Sequence, residues 1–209
     1  MTQTTPVAFR NKIYYAKAMQ LAYPILVLIR GLPGSGKSYL SRALQTSLGA
    51  ENVVILDPDA IDLTGETYKT FSKNLTQEGV DQKFHPYRWS RATAYQGITD
   101  RKIIIWNQAF TNLDGFNKTV VNLQTYAKEH GTDLPLLVVE VEIAAATAKE
   151  RVGQRVRQGG HNVTDDAWER FLREYHSFKD EGFTTVTVQG AADIDTSVRA
   201  VTQAIEQLA

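Results

Sequence analysis

Lys37 and Ser38 close the run GLPGSGKS, residues 31–38, one residue after the apolar stretch ILVLI at 25–29. Gly31, four intervening residues and Gly36-Lys37-Ser38 form the spacing with which a glycine-rich loop wraps phosphate oxygens in backbone N–H groups. Residues without a bulky Cβ let successive amides point inward, and the helix that follows aims its positive end at the same place. Lys37 would add a mobile point charge near the β and γ phosphates of a nucleoside triphosphate. Ser38 would offer a hydroxyl oxygen to magnesium, a hard cation that keeps most of its waters. The expected nucleotide contacts are therefore Gly31, Pro33, Gly34, Ser35, Gly36, Lys37, Ser38 and Tyr39, with ATP and Mg2+ as the expected ligands. The loop alone does not decide what becomes of the γ phosphate.

Carboxylates supply the next chemistry. LDPDAID places Asp57, Asp59 and Asp62 behind a second apolar run, Val53 to Leu56. Phosphoryl transfer needs its acceptor oxygen in line, its proton accepted and its charge neutralised. Asp59 is the expected base for an acceptor hydroxyl, Asp57 the group nearer magnesium, and Asp62 a weaker acceptor contact. The same aspartates are good turn and N-cap residues, since Asp-Pro-Asp also starts helices well.

Residues 144–160, AAATAKERVGQRVRQGG, carry Arg151 and Arg155 one helical turn apart, with Arg157 near the end. Guanidinium groups grip two phosphate oxygens at once, so an arginine segment closing over the γ phosphate would stabilise its transfer. Arg151 and Arg155 join Lys37 and Asp59 as the expected catalytic set, and Arg151 also counts as a nucleotide contact. Arginines near a helix C-terminus also simply favour its dipole. Gly159-Gly160 would end the helix, and residues 144–163 would act as a lid. His161 precedes a further helix capped by Thr164, with Asp165 and Asp166 in its first turn.

These groups need a frame. Apolar runs at Ile25–Ile29, Val53–Leu56, Ile103–Trp106, Leu136–Val141 and Thr185–Val188 predict five strands. Helical spacing predicts helices at Lys37–Leu48, Pro86–Ile98, Phe116–Glu129, Ala144–Arg157, Asp165–Lys179 and Ser197–Leu208. An amphipathic helix at Val7–Ala22, within residues 1–23, would lie against the sheet before the first strand. Such alternation implies an α/β fold, a mainly parallel five-stranded sheet with helices on both faces, and a ligand site beyond the carboxyl ends of the strands. The polar stretch Asp62 to Lys83 is expected to be irregular, an insertion over the substrate side. The 209 residues suit one domain.

Lysine plus arginine equals aspartate plus glutamate at 23 each, so no whole-molecule field favours nucleic acid or an anionic membrane. The absence of cysteine excludes disulfides, thiolate metal sites and cysteine catalysis. The first residues lack the layout of a secretory signal, and no apolar run spans a bilayer. A cytoplasmic protein is the expectation.

GLPGSGKS, LDPDAID, the FTN after the third strand, RVGQRVRQGGHNVTDDAWERF and EGFTTVTV occur in the order that resembles the P-loop kinase group containing zeta toxins and polynucleotide 5′-hydroxyl kinases. That resemblance implies a P-loop NTPase fold, an acceptor-activating role for Asp59, and nucleotide contacts from Arg151 and Arg155. His85-Pro86 resembles the histidine-proline pair of zeta toxins, which would make His85 a substrate contact. The alternative for His85 is a loop histidine before a proline-started helix. Arg88, Trp89 and Arg91 on that helix would suit an anionic acceptor, or form a packed tryptophan between two solvated arginines. Asn107 and Gln108 would read hydroxyls or a base, or pack at a strand end; in related kinases this position is often acidic.

The leading expectation is an ATP-dependent kinase acting on a hydroxyl of a small nucleotide-sugar-like acceptor, as the zeta-type resemblance implies. A kinase of nucleic-acid 5′ ends is the alternative, less favoured by the neutral charge balance. A nucleotide-binding switch with little transfer activity is the third reading. A zeta-like toxin would have an antitoxin protein as partner.

Overall fold

A computed structural model describes residues 22–159 and 162–209. Residues 7–21 of the helix expected before the first strand, together with Gly160 and His161, lie outside the described residues. Five strands form one sheet: β1 (Ile25–Arg30), β2 (Val53–Leu56), β3 (Ile103–Asn107), β4 (Leu136–Glu142) and β5 (Thr185–Gln189). Their order is β2-β3-β1-β4-β5 and every pairing is parallel, with Leu28 opposite both Trp106 and Val138.

Side chains of a strand alternate between faces, and β1 is covered on both. Ile25, Val27 and Ile29 pack with Leu40, Leu44, Val201 and Ile205 of the helices α1 (Lys37–Leu48) and α7 (Ile194–Leu208). Leu26 and Leu28 pack on the other face with Ile98, Phe116 and Leu123 of α3 (His85–Thr99) and α4 (Leu113–Glu129). Truncating one of these fully buried residues, as in Ile29→Ala, would cost about 2–5 kcal/mol. The central strand is thereby fixed, and with it the start of the loop at Gly31.

The polar stretch expected to be irregular contains α2 (Glu66–Gln77). Tyr68, Phe71 and Leu75 recur at helical spacing, and the edges of Tyr68 and Phe71 meet the Trp89 ring, with centroids 5.6 and 5.2 Å apart. Trp89 is therefore a packed residue that docks α2 on α3. The helix expected at Asp165–Lys179 stops earlier, as α6 (Asp165–Glu174), and Lys179–Glu181 forms a separate 3-10 turn. The arginine segment is α5 (Ala145–Arg157).

From β1 the chain goes out to the edge strand β2, returns to β3 beside β1, and then crosses to β4 and β5 on the other side. A crevice opens at the carboxyl ends where the order reverses.

Candidate active site

The crevice is a cavity of about 1600 Å³ that begins at the loop between β1 and α1. Gly36 caps α1 with φ 106°, no side chain caps the helix, and its first turn holds no acidic residue. Its first amides are thus left for an anion. Gly34, at φ 82°, lies so close to α5 that a Cβ there would drive into the Ala148 carbonyl oxygen. The loop is seated on the helix that carries Arg151 and Arg155.

The Lys37 ammonium folds back to donate to the carbonyl oxygens of Gly31 (2.9 Å) and Leu32 (3.0 Å). Burial pushes it down to about 8, against the pull of Asp57 and Asp59 and with help from Arg155. Phosphate oxygens would replace those carbonyls with full negative charges.

Ser38, Asp57 and Asn107 meet at the ends of α1, β2 and β3. The Ser38 hydroxyl donates to Asp57 Oδ2 at 3.1 Å, and Asn107 Nδ2 lies 2.6 Å from that oxygen and 2.8 Å from Ser38 Oγ. Asn107 Oδ1 is buried and has no hydrogen-bond partner among the described residues. Burial raises the Asp57 carboxyl above its ordinary value; the hydrogen bonds from Ser38 and the Asp59 amide oppose it. Asp57 also accepts the Asp59 N–H at 3.2 Å, which turns the chain so that Asp59 is exposed along the cavity wall.

A divalent cation fits this corner by the chemistry of its donors. Ser38 Oγ, an Asp57 oxygen and the unpartnered Asn107 carbonyl are hard oxygen ligands beside the phosphate loop. Among the described residues no three His, Cys, Asp or Glu gather to cage a metal. A magnesium ion held mostly by water and phosphate oxygens needs no such cage.

Arginines form the opposite side. Arg151 Nη1 donates to the Gly190 carbonyl at 2.9 Å, which ties α5 to the turn after β5. A Cβ at Gly190 would strike the Ser35 carbonyl, so this turn too is packed on the phosphate loop. Arg155 lines the cavity, and so does Arg170 of α6.

Three expected acceptor contacts lie elsewhere. His85 is 1% exposed; its Nδ1 bonds Ser72 Oγ at 2.8 Å and its Nε2 the Val80 carbonyl at 3.0 Å, so the ring joins α2 to α3. Asp62 accepts from the Thr64 N–H and hydroxyl and stabilises its own turn. Arg88 is exposed and is not part of the cavity lining, to which Tyr87 and Arg91 of α3 and Phe84 just before it contribute. Asn107, by contrast, lines the cavity, with its amide nitrogen on Asp57 and Ser38.

Several cavity residues carry no mark in the sequence as an isolated motif. Ala167, Arg170 and Phe171 share a face of α6 at i, i+3, i+4 spacing, a signal that was available. Gly190 to Ile194 line the cavity after β5, with Ser197 in the helix beyond. Gly, Ala and Ala have no reactive side chains, so only their position reveals them.

A glycine-rich phosphate loop on the central strand, carboxylates at the end of β2 and arginines above the cleft define a P-loop kinase-like phosphotransferase class. Residues 11–202 match the family described as Zeta toxin, and the chain belongs to that family. No curated protein matches the sequence. A putative kinase from Chloroflexus aurantiacus has a similar structure, with a TM-score of 0.63 at 21% identity over 87% of this chain and 98% of that one. Chaetomium thermophilum Kti12, solved with ADP-AlF3, gives 0.57 at 17% identity over 88% and 99%. A gluconokinase from Sinorhizobium meliloti gives 0.54 at 16% over 90% and 94%. At these identities the structures share the fold. Among the described residues no helix is long and apolar enough to cross a membrane.

Proposed function

We propose that the protein is an ATP-dependent kinase that moves the γ-phosphoryl group to a hydroxyl of a small nucleotide-sugar-like acceptor. The observation that carries this reading is the placement of Asp57 and Asp59 along the same cavity as Lys37 and Ser38, with Arg151, Arg155 and Arg170 also lining it. The loop amides and Lys37 bind the β and γ phosphates, and the turn after β5 receives the base. Ser38 and Asp57 would hold magnesium with its waters, which supplies positive charge to the phosphate oxygens.

Asp59 accepts the proton of the acceptor hydroxyl as its oxygen bonds to the γ phosphorus. The bond from that phosphorus to the β–γ bridging oxygen breaks, and ADP leaves with the electron pair. The arginines stabilise charge on the transferring group without moving protons, because guanidinium stays protonated. A general base of this kind contributes about 10²–10⁴-fold.

Phe84, Tyr87 and Arg91 support the acceptor class. Phe84 and Tyr87 are 49% and 44% exposed and line the cavity with Arg91, which pairs flat apolar surface with a cation. A base or sugar ring bearing phosphate would satisfy both. The neutral balance of charge supplies no whole-molecule field to attract a long strand. We place the reaction in the cytoplasm, where ATP and magnesium are plentiful, with an antitoxin as the partner of a zeta-like toxin.

The test is incubation with γ-labelled ATP and parallel panels of nucleotide sugars, nucleosides and 5′-hydroxyl oligonucleotides. Label on a nucleotide sugar is the expected result. Label on oligonucleotides alone would select the strand-end kinase, and ATP binding with no labelled acceptor would select a switch.

A further inference from the structure

Arg30 is the last residue of β1, next to Gly31, and its side chain is fully buried. Its Nη1 lies 2.5 Å from Glu140 Oε1 on β4 and 2.7 Å from the His176 carbonyl, while Nη2 donates to the Phe110 carbonyl at 3.1 Å. The guanidinium carbon sits 3.4 Å from the Phe178 ring centroid and 4.6 Å from that of Tyr175. Glu140 in turn accepts from the Ser177 hydroxyl at 2.6 Å and the Phe178 N–H at 2.7 Å. All four residues from Tyr175 to Phe178, which follow α6, are thus held by this one pair.

Both segments gripped by the pair lead to cavity walls. Phe110 belongs to the turn after β3 and has φ 46°, a left-handed conformation unusual for phenylalanine, and Gln108 to Asn112 line the cavity. Tyr175 directly follows α6, whose Ala167, Arg170 and Phe171 line it from another side. A buried ion pair is often no more stabilising than an apolar pair of equal size, so stability alone gives little reason for a charge pair here. Its hydrogen bonds fix where two backbone segments sit, which apolar packing would not.

We infer that Arg30 and Glu140 are positioning residues that set the post-β3 turn and α6 against the phosphate loop, and so shape the cavity for its ligand. The test uses the full chain as Arg30→Met/Glu140→Gln, which removes both charges while keeping an acceptor for the Phe178 N–H. Hydrogen exchange without nucleotide is expected to rise about tenfold or more in residues 108–112 and 165–178, with β1, β3 and β4 still protected. Affinity for a non-hydrolysable ATP analogue is expected to fall about tenfold, in line with loss of one well-placed polar contact. Wild-type exchange in both segments, or an equal rise throughout the sheet, would overturn the inference. So would loosened segments with undiminished affinity.

If the double variant does not fold, Ser177→Ala decides by the same two readouts, since that exposed hydroxyl bonds Glu140 without being part of the sheet. The affinity arm rests on the nucleotide-binding reading of the cavity. Failure of the wild-type protein to bind the analogue would sink that reading, while the exchange arm alone would still decide the positioning role.

Discussion

Asn107 Nδ2 lies 2.6 Å from an Asp57 carboxylate oxygen, joining the ends of β3 and β2 directly beside Ser38. An amide here donates a hydrogen bond to the carboxylate, whereas a second acid would repel it. Asn107→Asp is therefore expected to lower stability by about 1–3 kcal/mol in the presence of a chelator, through the lost donor and the new like-charge contact. Magnesium with ADP should recover most of the loss, because a cation can bridge two carboxylates. Thermal unfolding with and without the cation checks this; a midpoint indifferent to magnesium would show that this corner does not hold the ion.

His85 and Arg91 should behave in opposite ways. Both nitrogens of the buried His85 ring are bonded, so His85→Ala removes a bridge between α2 and α3 and should cost about 1–3 kcal/mol. Acceptor KM should stay the same. Arg91→Ala should leave the thermal midpoint nearly unmoved and raise acceptor KM about 10–100-fold, as expected for a lost charge-assisted contact. Steady-state kinetics beside a thermal melt separates the two.

The contrast shows how far the sequence could be read. Ile25 to Ile29 and Ile103 to Trp106 are apolar runs of strand length, buried on both faces, and the five strands fall where such runs predict them. The phosphate loop was legible for a related reason, since its glycines are required by contacts within a short segment. Helix α2 was obscured because Tyr68, Phe71 and Leu75 are set among polar residues, and their partner Trp89 comes later in the chain. His85 and Arg88 could be assigned to a helix, but helical spacing does not say which side chains reach the cavity, and Arg91 lines it while Arg88 does not. Arg30 reads as an ordinary strand end; its partners Phe110, Glu140 and His176 become neighbours only when the sheet forms.

Acid stability reports on Glu140. Burial works to raise its carboxyl, but the hydrogen bonds from Ser177, Phe178 and Arg30 outweigh burial and hold it below its usual value of 4.5. The folded state then takes up this proton at lower pH than the unfolded chain does. Its stabilisation is present above the usual value and is lost as pH falls through the folded value. Glu140→Gln should be less stable than wild type at neutral pH and should show a flatter decline between about pH 5 and pH 3. Parallel declines in urea-unfolding free energy would contradict the assigned network.

Asp59→Asn, assayed beside wild type for phosphoryl transfer from ATP and for affinity toward a non-hydrolysable ATP analogue, addresses the central claim most directly. Transfer to the acceptor is predicted to fall about 10²–10⁴-fold with analogue affinity held within a few-fold, since the proposed role of Asp59 is to take the acceptor proton and it makes no hydrogen bond to the phosphate loop. Transfer at the wild-type rate would contradict the account.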